Sequence, residues 1–445
     1  MKVLVAWPPH VPSYFNAGHH LPVFSIAAYL RAQGHEVRAL DAGVLNRTWK
    51  EFGQILAVER YDAVVLVNDF DVVEGIRRAV DYTRALLPSA LLMTVGRLSY
   101  QNPGYFRTLP LDAIGVSGDY EAGVAQALAL AGGAPRAPLP GVEVRDGDNW
   151  LQHSRHGTWL PAEQWVLPDV SEIPYAAYDN LYADDTNKFC GLPAKRELVV
   201  PVARGCPVNC SFCDVPSMQG IKERRMSVDR TVAYIEASFR EQPFEYVSFY
   251  APTFTLRKQW VHDLCARLSS ASRRYPWKCA TTLRHLDEQL VMAMGRSGCV
   301  RVSVGVETFG TPAQGVLPKA KLHARERFEE VLGWCRAAGV ELNCFVVVGL
   351  PGTSAQDAAD TITQIARSGA RPRPTLYTPY EQMTAEMSEQ QLSGFNRQTF
   401  VDARTGFEGG EGALDYLKLV FGDDGYVTSS ATAVDRVAAQ DAAAC

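Results

Sequence analysis

No cysteine precedes Cys190, and after Cys344 only Cys445 remains. Ten cysteines spread so unevenly over 445 residues do not make the disulfide framework of a small secreted domain. They point to a reducing, cytoplasmic setting. No apolar run approaches the roughly 20 residues that a membrane helix needs. The opening stretch, Met1 to Pro9, is too short in apolar residues for a secretory leader and reads as a strand. Positive charge is not in surplus: 44 Lys and Arg face 49 Asp and Glu, a net charge of −5. Nucleic-acid affinity rests on Lys and Arg, so neither nucleic acid nor membrane is expected as a partner. The length predicts two or three domains.

The cysteines that are present are grouped where they matter. Cys206, Cys210 and Cys213 stand at C-x3-C-x2-C in Arg204-Gly-Cys-Pro-Val-Asn-Cys-Ser-Phe-Cys-Asp214. They follow the apolar run Leu198 to Val202, which reads as a buried strand. A loop leaving such a strand can wrap three thiolates around one inorganic core, and thiolates are the ligands of iron–sulfur clusters. Three thiolates on four irons leave one iron open to a substrate or cofactor. A zinc site is the other reading, but zinc takes a fourth ligand at similar spacing. The nearest other cysteine, Cys190, lies sixteen residues before Cys206.

This stretch resembles the signature of the radical S-adenosylmethionine (SAM) superfamily. The resemblance implies a 4Fe–4S cluster on Cys206, Cys210 and Cys213, with SAM chelated at the open iron and split to a 5′-deoxyadenosyl radical. Phe212 matches the aromatic position beside adenine. Val304-Gly305-Val306-Glu307-Thr308 resembles the strand-four motif whose acidic residue faces the ribose, so Glu307 would accept from sugar hydroxyls. Thr281 and Arg284 match the strand-three end, where an Arg fork pairs with the methionine carboxylate. Ser303 would line the same site. Gly349 and Gly352, in Gly349-Leu-Pro-Gly-Thr353, resemble the turn whose bare backbone approaches adenine. The absence of early cysteines excludes the second cluster of tRNA-modifying methylthiotransferases. The family also implies an electron donor of the flavodoxin or ferredoxin kind.

Apolar runs alternate with amphipathic stretches from residue 1 to about 135, the pattern of a doubly wound sheet. Trp7-Pro8-Pro9, Ala27 to Val37 and Gly115 to Glu121 resemble the cobalamin-binding domain that precedes many radical SAM domains. The motif that supplies a histidine to cobalt is missing. Asn68-Asp69-Phe70-Asp71 and Gly96-Arg97 stand where such domains carry small residues. Cobalamin occupancy therefore stays open. His19-His20 reads as a loop near a domain junction rather than a metal site.

The expected fold is α/β: a cobalamin-binding-like Rossmann domain over 1–135, a linker over 136–195, a partial (β/α)6 radical SAM barrel over 196–385, and a small helical lid and tail over 386–445. Active groups of such barrels sit at the strand carboxyl ends. Asn209, Asp214, Tyr250, Thr253, Tyr377, Tyr380 and Glu381 would ring the mouth there, a set suited to a sugar or aminocyclitol. Asp214, Glu381 and Tyr377 are the candidate catalytic groups, as proton carriers or radical guides. The layout resembles the radical diol dehydratases of aminoglycoside antibiotic pathways. The expectation leans to cobalamin-free dehydration, with a cobalamin-dependent C-methyltransferase as the alternative.

Overall fold

The structure, a computed structural model, describes residues 1–10, 19–133, 135–152, 156–181, 191–192, 195–312, 315–322, 325–395 and 429–442. The chain divides into two compact units. The first comprises Met1–Leu181, Asp214–Gly220 and Pro379–Asn396, the second Tyr182–Cys213, Ile221–Thr378 and Arg397–Cys445.

The first unit is built on strands β1 (Lys2–Trp7), β2 (Glu36–Asp41), β3 (Ala63–Asn68), β4 (Leu91–Gly96), β5 (Ala113–Gly115), β6 (Val142–Asp146) and β7 (Asn149–Leu151). Their spatial order is β2-β1-β3-β4-β5-β6-β7. The first five are parallel, and β3 and β4 are buried along their whole length. That burial explains their unbroken apolar sequence, because helices cover both faces of a parallel sheet. Its longer helices are Leu21–Ala32, Trp49–Glu59, Val73–Leu86 and Tyr120–Ala131. In sheets of order 2-1-3-4-5, ligands bind as a rule at the carboxyl ends of β1 and β3, where the strand order reverses.

Residues 142–151, read from sequence as linker, form an antiparallel hairpin on the sheet's edge. Gly147, with φ 59°, makes its tight turn. The helix Glu389–Phe395, read as part of a lid, belongs to the first unit. There Leu392 and Phe395 are buried, and Phe395 stacks on Phe70.

The second unit begins with β8 (Glu197–Pro201) and the short antiparallel pair β9 (Ala203–Arg204) and β10 (Arg224–Arg225). It continues with β11 (Tyr246–Tyr250), β12 (Trp277–Thr282), β13 (Cys299–Glu307), β14 (Glu341–Val348) and β15 (Arg371–Leu376). The six long strands are all parallel, in the order β8-β11-β12-β13-β14-β15. Helices Val228–Glu241, Lys258–Ser269, Glu288–Arg296, Arg325–Ala337 and Ala355–Arg367 connect them. This is the partial six-stranded barrel that the repeated βα units predict. Trp277, fully buried, packs against Phe249 and Phe254 on the helix side of the sheet.

The C-terminal tail is helical over Ser429–Ala442. Its Ala433 and Val434 are buried with Tyr246 and Val300. Much of the lid expected over 386–445 lies outside the described residues, as do Cys190 and Cys445. No helix among the described residues is long and apolar enough to cross a membrane.

Candidate active site

The loop leaving β8 folds tightly enough to bring its thiols together. Gly205 and Asn209 have φ of 86° and 53°. The left-handed region is open to glycine and tolerated by asparagine. The backbone N–H of Cys213 donates to the carbonyl of Cys210 at 3.1 Å, closing the turn between the second and third thiols. Ser211 Oγ donates to the carbonyl of Val316 at 2.7 Å. The Cys206 thiol and the Thr253 hydroxyl lie 3.6 Å apart and share a hydrogen bond. Cys206 and Cys210 are buried and Cys213 is half-buried, and none of the three is in a disulfide.

Charge shows the convergence most directly. Burial pushes the Cys210 thiol up to about 12; Lys321 opposes the shift, while Cys213, Glu307 and Cys206 add to it. Five polar side chains from three parts of the chain therefore meet at one locus. Among the described residues, no three His, Cys, Asp or Glu side chains close up into a site for a single metal ion.

Glu307 ends β13 at a β-bulge: Gly305 pairs with Phe345 and Glu307 with Val346, so Val306 is the extra residue. Bulges re-aim side chains next to active sites. Glu307 takes φ 64°, a strained conformation for a glutamate. Its carboxylate accepts from Lys321 Nζ at 2.7 Å, and both side chains are largely buried. Burial works against the charge of Lys321, but Glu307 and the Cys210 and Cys213 thiols hold its pKa above the ordinary value. A methyl group at Gly305 would collide with both ends of this ion pair. The glycine keeps the space that the pair occupies.

Phe212, Val316 and Tyr377 pack against buried Leu317, Val347 and Leu350. The turn after β14 that carries Gly349 and Gly352, with φ of 82° and 85°, thus shares an apolar wall with the loop aromatic. Thr281 pairs with Val304 on the neighbouring strand. It is buried, and its hydroxyl shares a 2.6 Å hydrogen bond with Thr255. Arg284 is exposed on the following 3-10 turn. Ser303 accepts from Asn343 Nδ2 at 3.1 Å. The sequence reading missed Lys321, which carries no motif, and His285, whose Nδ1 lies 2.6 Å from Thr282 Oγ1. Burial, with Arg284, Lys258 and Lys321 nearby, pulls the His285 pKa down.

The first unit contains a second polar knot, at the end of β4. Arg97 donates to the carboxylate of Asp214 and to the hydroxyl of Tyr380, and lies 3.9 Å from Asp69. Its guanidinium stands 5.2 Å from the Phe70 ring centre and 5.5 Å from that of Tyr380. Asp214 accepts as well from Tyr380 at 3.3 Å. Burial opposes the charge of Arg97, but Asp214, Asp69 and Tyr380 raise its pKa well above the usual value. Glu381 is exposed on the next turn. In the same unit His20 stacks on Trp7 at 3.6 Å between ring centres and pairs with Asp41 at 2.7 Å.

A doubly wound domain and a parallel half-barrel with three gathered thiols define the class. Residues 200–365 match the radical SAM superfamily model, so the chain carries a radical SAM domain. Over 202 residues it is 26% identical to an uncharacterised methyltransferase of Pyrococcus horikoshii, covering 44% of this chain and 42% of that one. Over 149 residues it is 24% identical to the cytidylyl-2-hydroxyethylphosphonate methyltransferase of Streptomyces wedmorensis, covering 34% and 28%. The chain thus spans under half the length of these curated relatives. In fold it is similar to the radical SAM methyltransferase TsrM of Kitasatospora setae, solved with tryptophan and a SAM analogue, at TM-score 0.70 and 17% identity over 84% of this chain and 72% of that one. It is also similar to the cobalamin-dependent radical SAM enzyme OxsB, at TM-score 0.64 and 16% identity over 89% and 56%. A radical SAM domain implies a 4Fe–4S cluster and SAM. The donor set fits them: three thiols, a buried ion pair beside them and an apolar wall.

Proposed function

We propose that this protein is a radical SAM enzyme acting on a small molecule, of the kind that pairs the barrel with a cobalamin-binding front domain and transfers a methyl group. The observation that carries the reading is the meeting of Cys206, Cys210 and Cys213 with the Glu307–Lys321 pair inside a radical SAM domain. When bound, the cluster supplies the electron that splits SAM. The chain's part is to place SAM. Glu307 takes the ribose hydroxyls, held in its bulge by Lys321. Phe212 and the bare backbone at Gly349 and Gly352 flank adenine along the wall with Leu350. Thr281 supports the strand-three end through Thr255, Ser303 lines the sheet, and Arg284 is poised for the methionine carboxylate.

Methyl transfer takes precedence over the dehydration expected from sequence. The relatives carry methyltransferase names, and the fold neighbours join this architecture to cobalamin. The order of the front sheet fits a flat ligand at the strand ends. Cobalamin, when bound there, supplies the methyl group. Arg97 and Phe70 would stand beside it. Among the candidate catalytic groups, Tyr377 lies on the wall with Phe212, and Glu381 is open to solvent. Asp214 is occupied by Arg97 and Tyr380, which suits anchoring the end of the cysteine loop better than moving protons. The electron donor would be flavodoxin- or ferredoxin-like, in a cytoplasm that keeps the thiols reduced.

The test is anaerobic loading with hydroxocobalamin and gel filtration, followed by SAM turnover with a candidate substrate pool. Retained corrin absorbance and S-adenosylhomocysteine as product are expected. Loss of all corrin, with a dehydrated product, would restore the dehydratase reading.

A further inference from the structure

Behind the cysteine loop lies a further layer of polar groups, all within the second unit. Cys206 follows β9 by two residues, and β9 pairs with β10 so that Ala203 stands opposite Arg225. The ribbon is pinned to the sheet. The Met226 N–H donates to the Val202 carbonyl and the Val202 N–H to the Tyr250 carbonyl, both at 3.0 Å. The Arg225 side chain has no exposed surface. It donates to the Glu223 carboxylate and, at 3.3 Å, to the Thr253 carbonyl. Thr253 is buried, and its hydroxyl is the group that shares a 3.6 Å hydrogen bond with the Cys206 thiol. Glu223 Oε2 lies 2.7 Å from Nε of Arg257, whose side chain is exposed. A line of contacts thus runs from Arg257 through Glu223, Arg225 and Thr253 to the first thiol.

Fold stability alone does not account for Arg225. Its Nε and Nη1 are buried and make no hydrogen bond. The guanidinium instead lies 4.7 Å over the Trp260 ring. Buried donors without an acceptor cost about 1–3 kcal/mol each, and a buried ion pair is often matched in stability by apolar residues of the same volume. What an apolar residue cannot supply is a positive charge behind Cys206. Thr253 adds a direct contact. Between thiol and hydroxyl either atom can donate. A thiolate that holds iron has no proton to give, so the hydroxyl must then donate to the sulfur. Hydrogen bonds to the sulfurs and local charge both tune the reduction potential of an iron–sulfur cluster. A donated proton and a cation act in the same direction, because each stabilises the reduced, more negative core.

We propose that Thr253 and Arg225 are positioning residues that raise the reduction potential of the cluster through the Cys206 sulfur, with Glu223 holding Arg225 and moderating its charge. The electron itself comes from the external donor; these residues change only how readily the cluster takes it. The proposal rests on the cluster reading of the three thiols.

Anaerobic redox titration of the reconstituted full chain without SAM, followed by electron paramagnetic resonance, reads the midpoint potential. Poised at the wild-type midpoint, Thr253→Val should lower the ratio of reduced to oxidised cluster about tenfold, about 59 mV for one electron, while Thr253→Ser should keep it within about twofold. Arg225→Met should lower the ratio, and Glu223→Gln should raise it. Opposite signs at two touching residues follow from charge and not from loosened packing. If Arg225→Met does not take up iron, Thr253→Val and Glu223→Gln carry the expectation. An unchanged midpoint in Thr253→Val, a Thr253→Ser midpoint equal to that of Thr253→Val, a Glu223→Gln midpoint at or below the wild-type value, or an Arg225→Met shift of the same sign as that of Glu223→Gln overturns the proposal. A wild-type cluster signal whose midpoint no variant moves overturns this inference alone. Absence of any cluster signal in the wild type overturns the reading of the three thiols, and this inference with it.

Discussion

Gly305 sets the geometry of the Glu307–Lys321 pair by having no side chain. Gly305→Ala would push the carboxylate and ammonium aside while leaving the thiols untouched. SAM affinity should fall about tenfold at unchanged iron content, read by equilibrium dialysis beside an iron assay; unchanged affinity would remove Glu307 from the SAM site. Lys321→Met should weaken SAM similarly, since it leaves Glu307 buried without its cation. At this scale the sequence was legible where chemistry is local. Three cysteines at fixed spacing and a glycine–glutamate motif announce themselves. Lys321 does not, because its role comes from a position in space shared with Cys210 and Glu307. Arg97 was noticed as a bulky residue at a strand end, but its link to Asp214 lies between distant stretches of one unit. Asp214 thus reads differently once its partners are known.

The strands owe their stability to the layer between sheet and helices. Trp277 is fully buried among Phe249 and Phe254, and its Nε1 donates to the Ser297 carbonyl at 3.1 Å. Trp277→Ala should cost about 3–5 kcal/mol, read by urea denaturation of the second unit's transition. Burial pushes the thiols of Cys265 and Cys335, whose helices face the same layer, up to about 11 and about 12. A thiol whose folded pKa exceeds its unfolded value near 9 keeps its proton in the folded state. Its stabilising contribution is complete below pH 9 and is lost as pH rises toward 11–12. Stability should therefore decline above pH 9, and Cys335→Ala should flatten part of that decline. Parallel strands were legible from unbroken apolar runs. The β6–β7 hairpin was not, because prolines and glycines just before it signalled a boundary, though its Asp146-Gly147 pair is a hairpin turn signal. The final helix, Ser429–Ala442, is rich in alanine, the strongest helix former.

At the scale of the whole molecule, one chain carries two parallel-sheet units, and the backbone passes between them more than once. The peptide bond from Cys213 to Asp214 passes from the second unit to the first. One residue beyond the third thiol, the chain is tied by Arg97 to the strand ends of the front sheet. Asp214→Asn should loosen that tie. The expected outcome is altered corrin retention with the three thiols still able to take up iron. The alternation of strands and helices made both folds legible, but no sequence pattern shows which segments return to the other unit. The account stands on three thiols holding a 4Fe–4S cluster with one iron open to SAM. Electron paramagnetic resonance of the anaerobically reconstituted, dithionite-reduced protein tests it most directly. The account predicts about four irons per chain, a reduced-cluster signal that shifts on adding SAM, and loss of that signal in Cys206→Ala, Cys210→Ala and Cys213→Ala alike. A signal indifferent to SAM, or one that survives any of the three substitutions, would contradict it.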